Sequence, residues 1–195
     1  DVQKMGYHVY FHGQKAHYGV AMLCKKEPKS VLKGFATDTE ESQKRMISVT
    51  VEQDNGRDLT VMNGYFPQGD NINHETKFPY KRQFYKDLMT HLETNHTPDQ
   101  ETGKCSFQPV EREWLVTLLN WGFKDTFREQ NPETDDQYSW FDYRSKGFVD
   151  NRGLRIDVVL ATNELAARCI DTGIDYELRG IEKPSDHAPI WSTFK

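Results

Sequence analysis

Five short β-forming runs, separated by turn residues, fill the first 65 positions, and no other feature constrains the fold of this chain as tightly. Gly6 to His12 alternates and is rich in β-formers, and Gly19 to Cys24 follows across the turn Gly13–Tyr18. Val31 to Phe35, Met46 to Glu52 and Leu59 to Asn63 come next, the last behind the turn signal Asp54-Asn55-Gly56. Strands linked by turns this short predict an antiparallel sheet.

The pattern then changes period. Phe84, Tyr85, Leu88, Met89 and Leu92 recur at three- and four-residue spacing, which predicts a helix from Pro79 to about Asn95. A second helix is expected from about Val110 to Asn120, with Trp114, Leu115, Leu118 and Leu119 on one face and Gly122 as its cap. Both apolar faces read as core. Tyr138 to Phe141, Ile156 to Ala161, Cys169 to Ile174 and Ile190 to Phe194 read as further strands. Strands and helices interleave without strict βαβ alternation, so the class is α+β, most simply helices packed outside two facing sheets.

Composition narrows the functional classes. Hydrophobic content of 36% with 12% aromatic residues fits a globular chain rather than a disordered one. A length of 195 residues suits one sizeable domain. No apolar run approaches the roughly 18 residues of a membrane span. The net charge of −5 means that any nucleic-acid function needs its positive charge gathered locally. Cys24, Cys105 and Cys169 are far apart and form no CxxC, which fits reduced thiols in a cytoplasmic protein without a zinc site.

Chemistry concentrates in the second half. In Lys183-Pro-Ser-Asp-His-Ala-Pro-Ile190 an acid and a histidine stand between two prolines, which stiffen the turn. Taken alone, these eight residues also fit a surface turn with a solvated histidine. Asp157 strengthens the case, because Ile156 to Leu160 reads as a buried strand, where a carboxylate is costly unless paired. Its candidate partner is His187, an oriented-base arrangement found in many hydrolytic sites. Asn63-Gly-Tyr-Phe-Pro-Gln-Gly69 leaves the fifth strand and can offer Tyr65 and Gln68 as donors to an oxyanion. Phe141 to Phe148 and Asn151 to Arg155 interleave aromatic with basic residues, the texture of a loop that grips a phosphate backbone, or of a solvated charged loop.

Together these stretches resemble the exonuclease III family of DNA-repair nucleases, bacterial type, within the endonuclease/exonuclease/phosphatase superfamily. The matching motifs run collinearly: Tyr10 to Ala21, Asn63 to Gly69, Thr102 to Phe107, Glu111 to Trp114, Ser139 to Phe148, Asn151 to Asp157 and Lys183 to Pro189. The resemblance implies a four-layer α/β sandwich of two mainly antiparallel sheets flanked by helices, formed as one domain over 1–195. It implies a metal-dependent phosphodiesterase acting as 3′ to 5′ exonuclease and abasic-site endonuclease on double-stranded DNA, working as a monomer. His187 would hydrogen-bond the scissile phosphate, oriented by Asp157, with Tyr65 as a further catalytic contact. Asp186 would lie at the cation, Mg²⁺ with Mn²⁺ as a substitute. Gln68, Arg45 and Arg144 would contact the DNA, Arg144 from a loop that inserts into the duplex. Trp140, Leu154 and Ile156 would wall a pocket for an extruded abasic sugar.

Two elements of the family have no counterpart in the sequence: the opening strands with the principal metal-binding Glu, and a central Gly-Asp-Met-Asn element, with a missing segment expected near residues 97–102. Asp99 and Glu101 at that junction are weak substitutes. The sequence therefore reads as part of a longer, ordinary enzyme. The alternatives are a catalytically inactive DNA-binding remnant, or a phosphodiesterase of the same superfamily with a non-DNA substrate.

Overall fold

The computed structural model describes residues 1–96 and 110–195. The expected junction at residues 97–102, with Asp99 and Glu101, and the Thr102 to Phe107 motif lie outside the described residues. The chain divides into two compact units, Asp1–His96 and Thr97–Lys195.

In the first unit β1 (His8–Gly13) pairs with β2 (Gly19–Cys24), and β3 (Ser30–Lys33), β4 (Met46–Glu52) and β5 (Asp58–Gly64) form a second sheet in that order, every pairing antiparallel. The expected single sheet is thus two. The break falls at the Lys25–Lys29 link, where Pro28 has no N–H to continue a ladder. The ribbon still meets the sheet, through the Asn63 side-chain amide donating to Ala21 O at 3.0 Å. Central β4 is buried on both faces at Met46, Ile47, Ser48 and Val49.

Helix α1 (Lys77–Asn95) starts two residues before the expected position. Pro79 is tolerated because it lies in the first turn, where a backbone N–H has no intrahelical acceptor. The imidazole Nδ1 of His74 accepts from the Thr76 and Lys77 amides at 3.3 and 3.2 Å, replacing the usual hydroxyl or carboxylate cap. Phe84 and Leu88 are buried as the spacing required, and the Phe84 ring meets Phe35 and Phe66 edge-on at 5.3 and 4.9 Å. Burying each such side chain contributes about 1.5–3 kcal/mol.

In the second unit α2 (Val110–Trp121) ends at Gly122, whose φ of +124° suits glycine. There follow β6 (Phe123–Asp125), α3 (Thr126–Gln130), β7 (Leu160–Thr162), α4 (Asn163–Ala166), β8 (Cys169–Ile174), α5 (Tyr176–Arg179) and β9 (Ile190–Phe194). β6 pairs with β7 and β8 with β9, both antiparallel. Asp125 both caps α3, accepting from the Arg128 amide, and pairs with Arg155 at 2.7 Å.

Two expected strands are not strands. Tyr138 to Phe141 makes isolated bridges instead, Trp140 to Leu154 on one side and Trp140 to His187 on the other. Of Ile156 to Ala161, only the end joins β7. The reason is local: the Ile156 and Asp157 amides both donate to the side-chain hydroxyl of Ser139, at 3.1 and 2.9 Å, and not to a neighbouring backbone. Asp157 is accordingly half-buried in an extended segment rather than enclosed in a strand. Among the described residues no helix is long and apolar enough to cross a membrane, and Cys24 and Cys169 are free thiols.

Candidate functional site

The second unit carries one cluster of the expected site residues. His187 Nδ1–H donates to Asp157 Oδ2 at 2.8 Å, with the two side chains 43% and 36% exposed. The imidazole therefore leaves Nε2 uncommitted while a partly solvated carboxylate fixes the orientation of the ring. Asp186, next in the chain, accepts from Trp140 Nε1 at 3.0 Å through Oδ2, which leaves Oδ1.

Main-chain bonds hold these side chains in register. Phe141 N donates to Asp186 O at 2.9 Å, and Ala188 N to Ser139 O at 2.7 Å, so the Asp186-His187 pair is tied at both ends to the Ser139–Phe141 segment. On the opposite edge Ser139 and Trp140 both donate to Leu154 O, and Leu154 N donates back to Trp140 O. Gly153 permits this approach, since a Cβ there would lie 2.4 Å from Trp140 O and 2.7 Å from Tyr138 Cβ. Ser139 is fully buried and stands between the two segments, its hydroxyl holding the Asp157 side and its carbonyl the His187 side. Nothing in the sequence marks it, because a serine between aromatic residues carries no spacing signal.

Leu154 and Ile156 are 55% exposed, as residues awaiting a partner surface would be, and Trp140 is half-buried. Arg144 is exposed on the turn Asp142–Asn151, which the Tyr143 hydroxyl fastens by donating to Pro184 O. Beneath that turn Arg179 is buried among Phe141, Tyr143 and Phe148. Tyr176 accepts from the Tyr138 amide at 2.8 Å, and burial pushes its phenol above the usual value, so it stays neutral.

The first unit carries the second cluster. Arg45 is only 7% exposed. Its guanidinium lies 4.1 Å from the Tyr18 ring centre and 4.5 Å from that of Tyr65. Nε donates to Gln43 Oε1 at 2.6 Å and Nη1 to Tyr65 O at 2.9 Å, while the Tyr65 amide donates back to Arg45 O. Arg45 thus holds Tyr65 rather than standing open to solvent. Tyr65 is 52% exposed and Gln68 is exposed, its carbonyl accepting from Lys81 Nζ.

A hard divalent cation needs several oxygen donors. Among the described residues no group of three or more His, Cys, Asp or Glu comes together. These residues do not by themselves fit a complete cation site.

Residues 91–187 match the Endonuclease/Exonuclease/phosphatase family. Exodeoxyribonuclease III of Haemophilus influenzae is 50% identical over 221 aligned positions, covering 99% of this chain and 82% of that protein. A 3′ phosphatase from Neisseria, solved with a product DNA hairpin, superposes with a TM-score of 0.85 at 32% identity, over 100% of this chain and 81% of its own. An AP endonuclease from Archaeoglobus fulgidus gives 0.83 at 31% identity, over 99% and 81%. The α+β sandwich of these nucleases is the fold of this chain.

Proposed function

The chain belongs to the exonuclease III family of the endonuclease/exonuclease/phosphatase superfamily, and from that membership we propose that it cuts double-stranded DNA at abasic sites and 3′ ends. It is a DNA-repair nuclease, a phosphodiesterase of a divalent-metal-dependent family.

The observation that carries the reading is the 2.8 Å bond from His187 to Asp157. Hydrolysis joins a water oxygen to phosphorus and breaks the bond to the leaving oxygen, and negative charge gathers on the phosphoryl oxygens. With Nδ1 committed to Asp157, Nε2 would face that charge, pre-oriented so that little reorganisation is needed. Tyr65 would contact DNA phosphate, and Gln68 phosphate or the damaged nucleotide's backbone. Arg45 would serve DNA through Tyr65, since its Nε and Nη1 are already engaged. Arg144 would enter the duplex, with Trp140, Leu154 and Ile156 receiving the baseless sugar, which costs little to extrude.

Asp186 would supply one oxygen to a divalent cation, Mg²⁺ or in its place Mn²⁺, whose chemistry would be to neutralise phosphate charge. Residues 1–195 are taken as one catalytic domain. An alignment of 221 positions against a chain of 195 residues is longer than the chain, which supports a segment of that relative without a counterpart here; its position near residues 97–102 is read from the sequence motifs on either side. Monomeric action completes the reading, in the cytoplasm, which the free thiols of Cys24 and Cys169 suit.

The test is incision of a duplex with one abasic site by the full-length protein, with Mg²⁺ and then with EDTA. Cleavage should vanish with EDTA, and His187→Ala should lower turnover by about 10²-fold or more while DNA binding persists. Near-normal turnover in that variant would remove the assignment. Binding without cleavage in the wild type would point instead to an inactive DNA-binding protein.

A further inference from the structure

Arg179 is 4% exposed, yet among the described residues no carboxylate pairs with it, and its Nε has no hydrogen-bond partner. A buried guanidinium without an acid is costly unless something else stabilises it. Here three rings do: its central carbon lies 4.6 Å from the Phe148 ring centre, 5.4 Å from Tyr143 and 5.5 Å from Phe141. All three rings belong to the segment that opens and forms the Asp142–Asn151 turn.

The other end of the same short helix reaches the catalytic segment. Asp175, the residue that caps α5, donates its amide to Pro189 O at 2.7 Å, two residues beyond His187. Tyr176 packs on Phe141 and Phe148 at 6.0 and 6.1 Å. The Tyr143 hydroxyl reaches Pro184 O, two residues before Asp186. Helix α5 and its arginine therefore join the turn that bears Arg144 and Lys146 to the segment that bears Asp186 and His187.

We propose that Arg179 is a positioning residue for substrate: caged by Phe141, Tyr143 and Phe148, it holds the basic turn in one geometry relative to His187, so that duplex DNA is gripped where the phosphate can be cut. This rests on the nuclease reading above. Arginine suits the place because a planar, weakly hydrated cation can lie against several rings, and lysine would present a compact, strongly hydrated charge. The charge also adds to the local positive field beneath an exposed turn.

The test is steady-state kinetics of the full-length protein on an abasic-site duplex. Arg179→Met, which keeps apolar volume, should raise KM about tenfold and leave kcat within about twofold. Arg179→Lys should lie between it and the wild type. Phe148→Leu removes one wall of the cage and should move KM in the same direction by about threefold, which keeps the test open if Arg179→Met folds poorly. Arg144→Ala should raise KM in the wild type and raise it less in the Arg179→Met background, because both act through one turn. A fall in kcat at constant KM, or additive effects of Arg144 and Arg179, would overturn the proposal by showing a role confined to stability. A wild-type protein that neither binds nor cuts DNA would sink the nuclease reading, and this inference with it.

Discussion

Around His187 the candidate side chains are held mainly by backbone hydrogen bonds, whereas around Tyr65 they are held by one guanidinium. In the first region the Ser139–Phe141 segment bonds to Leu154 on one edge and to Asp186 and Ala188 on the other. In the second, Arg45 lies against both Tyr18 and Tyr65 and donates to the Tyr65 carbonyl. A backbone ladder spreads its stabilisation over many groups, so a flanking side chain can change with limited effect. A single buried cation concentrates it. The Tyr65 region should therefore depend on one residue, and the His187 region on the Asp157–His187 pair and the buried Ser139 hydroxyl.

The sharpest division between reacting and supporting groups comes from Asp157→Asn. The amide keeps the shape but removes the charge that orients His187, so turnover should fall by about 10²–10⁴-fold with DNA binding retained. Loss of binding in parallel with turnover would make Asp157 a structural residue and dissolve the contrast.

Arg45→Met tests the other region. It deletes two ring contacts, each worth about 0.5–2 kcal/mol, and the bond to the Tyr65 carbonyl. A drop of about tenfold in kcat/KM is expected, without rescue by Arg45→Lys, which cannot stack as a plane between two rings. Rescue by lysine would mean that charge alone matters and that Arg45 meets DNA directly.

Ser139→Ala should give the smallest change in rate and a clear change in stability. Two amides lose their acceptor in a part-buried place, at a cost of about 1 kcal/mol or somewhat more. The melting temperature should fall by about 2–4 °C per kcal/mol. Turnover should fall by no more than about threefold, as Asp157 loosens but keeps its charge. A rate loss as large as that of Asp157→Asn would make the hydroxyl part of the catalytic set.

Much of this was legible in the chain itself. β2, β4, β8 and β9 run where the runs of β-formers placed them, and β2 and β9 alternate in burial as strands with one covered face do. Helix α1 starts two residues early because His74 caps it, a role that no common capping pattern encodes. The Asp157-His187 pairing followed from residue type, since a carboxylate near the interior needs a partner. The strand expected at Ile156 to Ala161 failed at its first half, because a side-chain hydroxyl and not a neighbouring strand receives those amides.

By itself the sequence indicated most of the local elements, the family and the pairing of Asp157 with His187, since periodicity, turn chemistry and residue type are written in neighbouring positions. Tertiary structure alone decided that Ser139 bridges the two arms of that pair, that Arg45 is a buried clamp, and that Arg179 lies in an aromatic cage. Each depends on groups brought together from distant parts of the chain. A hydroxyl accepts whichever amide reaches it, and a guanidinium stacks on whichever rings surround it; neither preference leaves a spacing in the sequence.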